Sequence, residues 1–96
     1  VLVETRDLFF RTRLEELVRR AGCRPTRQGP ADLAVVELGT DRALERVGTL
    51  AATGIPVIAF GAHIEPRVLR TARDLGATAV PNSQVEQAVR AALAGP

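Results

Sequence analysis

Apolar residues along this chain follow two different spacings. Residues 1–4, 33–38 (LAVVEL) and 56–60 (PVIAF) are short, nearly continuous apolar runs. Rich in β-branched side chains, they suit strands buried on both faces. Between them the apolar residues recur every three or four positions. Over residues 8–21, Phe10, Leu14, Leu17, Val18 and Ala21 share one stripe, with Arg13, Glu16 and Arg20 opposite. That pattern predicts a helix ended by Gly22. A helix capped by Thr40 is predicted to reach Ala52, with Leu44, Val47, Leu50 and Ala51 inward and Gly54 closing it. Another opens at Glu65-Pro66, where proline suits a first turn. It turns Ile64, Val68, Ala72 and Leu75 inward and stops at Gly76. Residues 77–80 predict the last strand. Ser83 and Glu86 then stand at capping-box spacing, opening a helix with Val85, Ala88, Val89, Ala92 and Leu93 inward before Gly95-Pro96.

Strands alternating with helices of this length predict an α/β fold: a parallel sheet with right-handed crossovers and helices on both faces. One interval breaks the rhythm. Residues 23–27 read as a weak strand, and Pro25 confines it to an edge or an irregular course. Between Gln28 and Asp32 there is no room for a crossover helix, since parallel neighbours need about a dozen residues to connect. A lost helix and a short, poorly paired strand are therefore expected here.

Ninety-six residues, 46% hydrophobic and 25% charged, fit one globular domain over residues 1–96 and exclude a disordered tail or fibrous repeat. The longest uncharged stretch, residues 47–62, is broken by Gly48, Thr53, Gly54, Pro56 and Gly61, so no membrane span is expected. Glu4, Arg6 and Asp7 interrupt the first apolar run, so no secretory signal is read there. The lone Cys23 fits a cytoplasmic location and reads as a buried structural cysteine.

All 13 basic residues are arginine, yet the net charge is only +2. The sequence pI near 9.9 reflects the high arginine pKa and not a large positive field. Helical spacing predicts the pairs Glu15–Arg19, Glu16–Arg20, Arg70–Asp74 and Glu86–Arg90. Seven arginines crowd residues 6–27, but Glu15 and Glu16 share that helix and the chain has only three aromatics. A nucleic-acid interface is not expected. Phe10 and Phe60 read as core, and Phe9 as a partly exposed anchor. No glycine spacing signals a phosphate-cradling loop.

The segment Asp32-Leu33-Ala34-Val35-Val36-Glu37-Leu38 resembles the third strand of response-regulator receiver domains, whose final aspartate accepts a phosphoryl group. VLV followed by Glu4, the strand IPVIAF, and RDLGA before the last strand are similar to the same family. Phe60-Gly61-Ala62-His63 resembles a subgroup with a histidine in this loop. The resemblance implies a flavodoxin-like parallel sheet of order 2-1-3-4-5, its second helix missing or much reduced, with any site at the carboxyl ends of the strands.

It also implies where the family's chemistry has been lost. Glu4 and Thr5 stand where a metal-holding acidic pair belongs, Glu37 where the phosphoacceptor aspartate belongs, and Gly61 where a serine or threonine reports phosphorylation. Pro81-Asn82-Ser83 occupies the lysine neighbourhood, and the chain has no lysine. Phosphotransfer needs a metal and a cation to offset charge, and an extra methylene displaces the carboxylate by ~1 Å. The implied protein is a degenerate pseudo-receiver, not an enzyme, with no cofactor or metal, acting through a protein partner or as a homodimer. In the family the face of the fourth helix, fifth strand and fifth helix mediates such contacts. Here it would carry Arg67, Arg70, Arg73, Asp74, Glu86, Gln87 and Arg90. Two alternatives are a working phosphoacceptor at Glu37 or Asp41, and a small ligand- or metal-binding domain built on Glu4, Glu37 and His63 at one rim.

Overall fold

The computed structural model describes residues 1–40 and 42–94. In chain order they form β1 (Leu2–Glu4), α1 (Leu8–Arg20), β2 (Ala34–Glu37), α2 (Ala43–Ala52), β3 (Val57–Gly61), α3 (Pro66–Asp74), β4 (Thr78–Pro81) and α4 (Val85–Ala94). A 3-10 turn, Asn82–Gln84, leads into α4. All four strands are parallel, in the spatial order β1-β2-β3-β4. This is an α/β architecture compatible with a flavodoxin-like fold.

The period of two along each strand divides the core into two layers. Leu2, Ala34, Val36, Val57, Ala59 and Ala79 face one side, where Ala43, Val47 and Leu50 of α2 and Ala72 of α3 cover them. Val3, Val35, Ile58 and Phe60 face the other, against Leu14 and Val18 of α1 and Val85 and Val89 of α4. Phe60 is fully buried and meets Phe10 of α1 at a ring-centroid distance of 5.6 Å. Helix ends follow the expected glycines. At Gly76, φ is +105°, which lets the chain leave α3 while the Ala77 N–H still donates to the Ala72 carbonyl at 3.0 Å. Among the described residues no helix is long and apolar enough to cross a membrane.

The weak strand at residues 23–27 shrinks to one parallel bridge between Thr26 and Leu2. The Val3 N–H donates to the Thr26 carbonyl at 2.9 Å, while the Leu2 N–H donates to Leu33 on the β2 side at 2.8 Å. Successive amides of a strand point to opposite edges, so Thr26 lies on the edge of β1 away from β2. Pro25 has no N–H to extend the pairing, and no helix intervenes before β2.

Several local expectations are corrected. Thr40 does not cap α2: the cap position is Arg42, and Thr40 contributes only its carbonyl, to the Ala43 N–H at 3.2 Å. The Ser83–Glu86 capping box does not form, because the 3-10 turn already includes Ser83 and Glu86 reaches across to Arg13 at 3.0 Å. The Glu86–Arg90 pair is accordingly missing among the described residues, and so is Arg70–Asp74, whereas Glu15–Arg19 and Glu16–Arg20 are present. Cys23 is exposed rather than buried, since it sits in the turn after Gly22 and outside the sheet. Asp41, Gly95 and Pro96 lie outside the described residues, including Asp41 as an alternative phosphoacceptor.

Candidate functional site

Parallel pairing brings the carboxyl ends of the strands to one rim. Glu4 ends β1 opposite Val36, and Glu37 ends β2 opposite Phe60, so the two carboxylates stand on neighbouring strands. Alternation turns them to different layers: Glu4 toward α2, Glu37 toward the loop between β1 and α1. Each has its own partners there.

Glu37 is held by that loop. The Thr5 hydroxyl donates to Glu37 Oε1 at 2.7 Å, and the Arg6 backbone N–H donates to the same oxygen at 3.1 Å. Thr5 is 6% exposed, and its hydroxyl also accepts the Asp7 N–H at 3.1 Å. Asp7 in turn caps α1, its Oδ1 accepting from the Phe9 and Phe10 amides at 2.9 and 3.2 Å. The loop, the cap and the carboxylate therefore form one connected network.

Glu4 is held by α2. Arg46 donates through Nε at 2.8 and 3.1 Å to the two Glu4 oxygens, and its terminal nitrogen lies 2.7 Å from Oε1. Those hydrogen bonds raise the Arg46 guanidinium above its ordinary value; burial opposes this, and the Glu4 charge adds to it. A raised basic group keeps its charge through the neutral range and up past the ordinary arginine value, so the pair loses its cation only above that. Both side chains are part-exposed, which limits the pair to about 0–1 kcal/mol.

The other expected rim residues do not join them. Gly61 ends β3 and is buried; a Cβ placed there would lie 2.5 Å from Ile64 Cγ1. His63 is exposed in the following loop with φ of +52°, a left-handed conformation that histidine tolerates better than most residues. Among the described residues no group of three His, Cys, Asp or Glu side chains could hold a metal, so the expected convergence of Glu4, Glu37 and His63 does not occur. Ser83 is exposed in the 3-10 turn. Asn82 Oδ1 beside it is buried with no hydrogen-bond partner among the described residues.

Sequence reasoning missed Arg46, the Arg6 amide, and Arg11, whose guanidinium donates to the Val3 carbonyl at 3.4 Å and to the Thr5 carbonyl. Arg46 was findable in principle. A crossover from β2 to a parallel β3 must start its helix beside the strand carboxyl ends, and Arg46 lies in that first turn.

Of the expected contact residues, Arg67, Arg70, Arg73, Asp74, Gln87 and Arg90 are exposed and Glu86 is half-buried, but Glu86 and Arg90 line the groove between α4 and α1 and so do not join the α3 residues on one face. Arg73 donates to the Ala79 carbonyl of the edge strand β4 at 2.8 Å, and Arg67 pairs with Glu65 at 3.1 Å. Leu8 and Phe9, 76% and 62% exposed, form a separate apolar knob at the start of α1, with the Arg13 guanidinium 5.3 Å from the Phe9 ring centroid.

Fold and rim together define a parallel α/β protein whose two strand-end carboxylates already have partners. No family model matches the chain, and no curated protein matches it either.

Proposed function

We propose that this protein is a pseudo-receiver: a flavodoxin-like interaction module that transmits a signal by contact and does not transfer phosphoryl groups. The observation that carries the reading is the pairing of Glu4, the acidic neighbour of Glu37, with Arg46, while one oxygen of Glu37 is held by Thr5 and the Arg6 amide. A phosphoacceptor must share a metal with its acidic neighbours, which offsets the charge of the incoming phosphoryl group. Here Glu4, the acidic neighbour, is paired with the Arg46 guanidinium instead.

The order 2-1-3-4-5 fits the same reading. With right-handed crossovers, α2 and α3 share a face because β2, β3 and β4 advance in one direction. α1 covers the opposite face, which requires the first crossover to run the other way, toward the edge where Thr26 pairs with Leu2. The bridge is then the remnant of a second strand, and the missing helix its lost return.

The contact surface is the side formed by α3 and β4, and its occupant is a second copy of the chain. Arg70 and Asp74 of α3 make no ion pair among the described residues, so two copies related by a two-fold axis can pair them reciprocally. Arg73 occupies a backbone acceptor of β4, which disfavours edge-strand addition and leaves helix side chains to make the contact. Exposed ion pairs contribute about 0–1 kcal/mol each, so the dimer is weak and salt-sensitive. Light scattering at high protein concentration and low salt is expected to give a dimer mass, returning to monomer in the Arg70→Glu variant. A monomer mass for the unmodified chain under those conditions rejects this surface as a self-association site.

A further inference from the structure

The geometry points to a binding site for a small phosphate-bearing molecule in the crevice between β1 and β2. A cavity of about 420 Å³ lies there at the strand carboxyl ends, a size suited to a small ligand. It opens where the helices change face, α1 on one side of the sheet and α2 on the other, which is where open parallel sheets accommodate ligands.

The lining sets the sign of the ligand. Five arginines (6, 11, 27, 42 and 46) line the cavity against two carboxylates, Glu4 and Glu37. Glu15, within 4.0 Å of Arg11 and 3.6 Å of Arg27, offsets part of the excess. Arg46 and Arg11 are anchored, the first on Glu4 and the second on the carbonyls of Val3 and Thr5. Arg6 and Arg42 are exposed and make no ion pair among the described residues. Arg46 and Arg11 each face a carboxylate, so the excess positive charge comes from the exposed Arg6 and Arg42, and it suits a phosphate because guanidinium groups match phosphate oxygens in bidentate geometry. A divalent cation would meet the opposite field. This inference stands apart from the dimer and from the absence of phosphotransfer: it concerns reversible binding, with no covalent step.

The test is a titration of the whole chain with inorganic pyrophosphate, followed by backbone amide resonances, with acetate at matched ionic strength as control. Saturable shifts confined to residues 4–6 and 37–46, without counterparts in acetate, are expected. Arg6→Glu/Arg42→Glu should weaken binding at least roughly tenfold, since each lost charge-assisted contact accounts for about that factor. Both positions are exposed, and the amide spectrum of the variant reports that it is folded; Arg42→Gln alone, weakening binding to a smaller extent, serves if the double variant unfolds. Arg20→Gln, at the end of α1 remote from the rim, should bind as the unmodified protein does. Shifts spread over arginines on all faces, no saturation, or unchanged affinity in the Arg6/Arg42 variants would overturn the assignment.

Discussion

Replacing Gly61 by threonine is expected to destabilise the protein by about 2 kcal/mol, lowering the melting temperature by roughly 10 °C. A Cβ at Gly61 would lie 2.5 and 2.7 Å from Ile64 Cγ1 and Cδ1 and 3.3 Å from the Leu38 carbonyl oxygen. β3 is buried along its whole length, so its backbone has little freedom to retreat. Ile64 must move instead, and it packs beside the layer under α2 and α3. A double-mutant cycle separates this clash from a general intolerance of side chains. Gly61→Ala should cost less in an Ile64→Ala background than in the unmodified chain, with a coupling above about 0.5 kcal/mol. Strict additivity would mean that the contact does not govern the position. A hydroxyl-bearing side chain at the end of β3 cannot be introduced by one substitution without displacing Ile64.

Thr5→Val carries the second large effect, a loss of about 2 kcal/mol in urea unfolding. The two side chains have nearly the same shape, so packing changes little. What disappears is a buried hydroxyl that donates to Glu37 and accepts from the Asp7 N–H. The half-buried carboxylate is left with one donor, the Arg6 amide, and the Asp7 amide loses its acceptor. Thr5→Ser keeps the hydroxyl and should recover most of the loss, giving up about 0.8 kcal/mol for the methyl group. Valine within 0.5 kcal/mol of the unmodified protein, or serine no better than valine, would show that the network does not hold the rim together.

The strands and helices were legible because their periods differ so plainly. LAVVEL could only sit between two apolar layers, and the structure divides it as alternation requires, Ala34 and Val36 to one side, Val35 to the other. That no helix fits between residues 28 and 32 was legible from chain length alone. Caps were read less well. Thr40 and Ser83 have the right chemistry, but Arg42 occupies the cap position of α2 and a 3-10 turn precedes α4, so each falls one or more residues from where a cap acts. Cys23 was misjudged because its burial depended on a strand that survives only at Thr26.

At the rim, the sequence pointed to the right strand ends and not to their partners. Glu37 and Thr5 are 32 residues apart, and Glu4 and Arg46 are 42 apart. No local spacing encodes either contact; both follow from register and from the start of α2. The sequence reading therefore treated two acids at one rim as potential ligands of a third group. In the structure each is already the ligand of the chain itself, and the Glu4, Glu37 and His63 cluster does not form.

Intact-mass measurement after incubation with acetyl phosphate and Mg²⁺ tests that self-occupation most directly, because it asks whether any carboxylate can leave its partners and take a phosphoryl group. An unchanged mass is predicted, under conditions that label an ordinary receiver domain. A gain of one phosphoryl group, abolished by Glu37→Gln, would contradict the account.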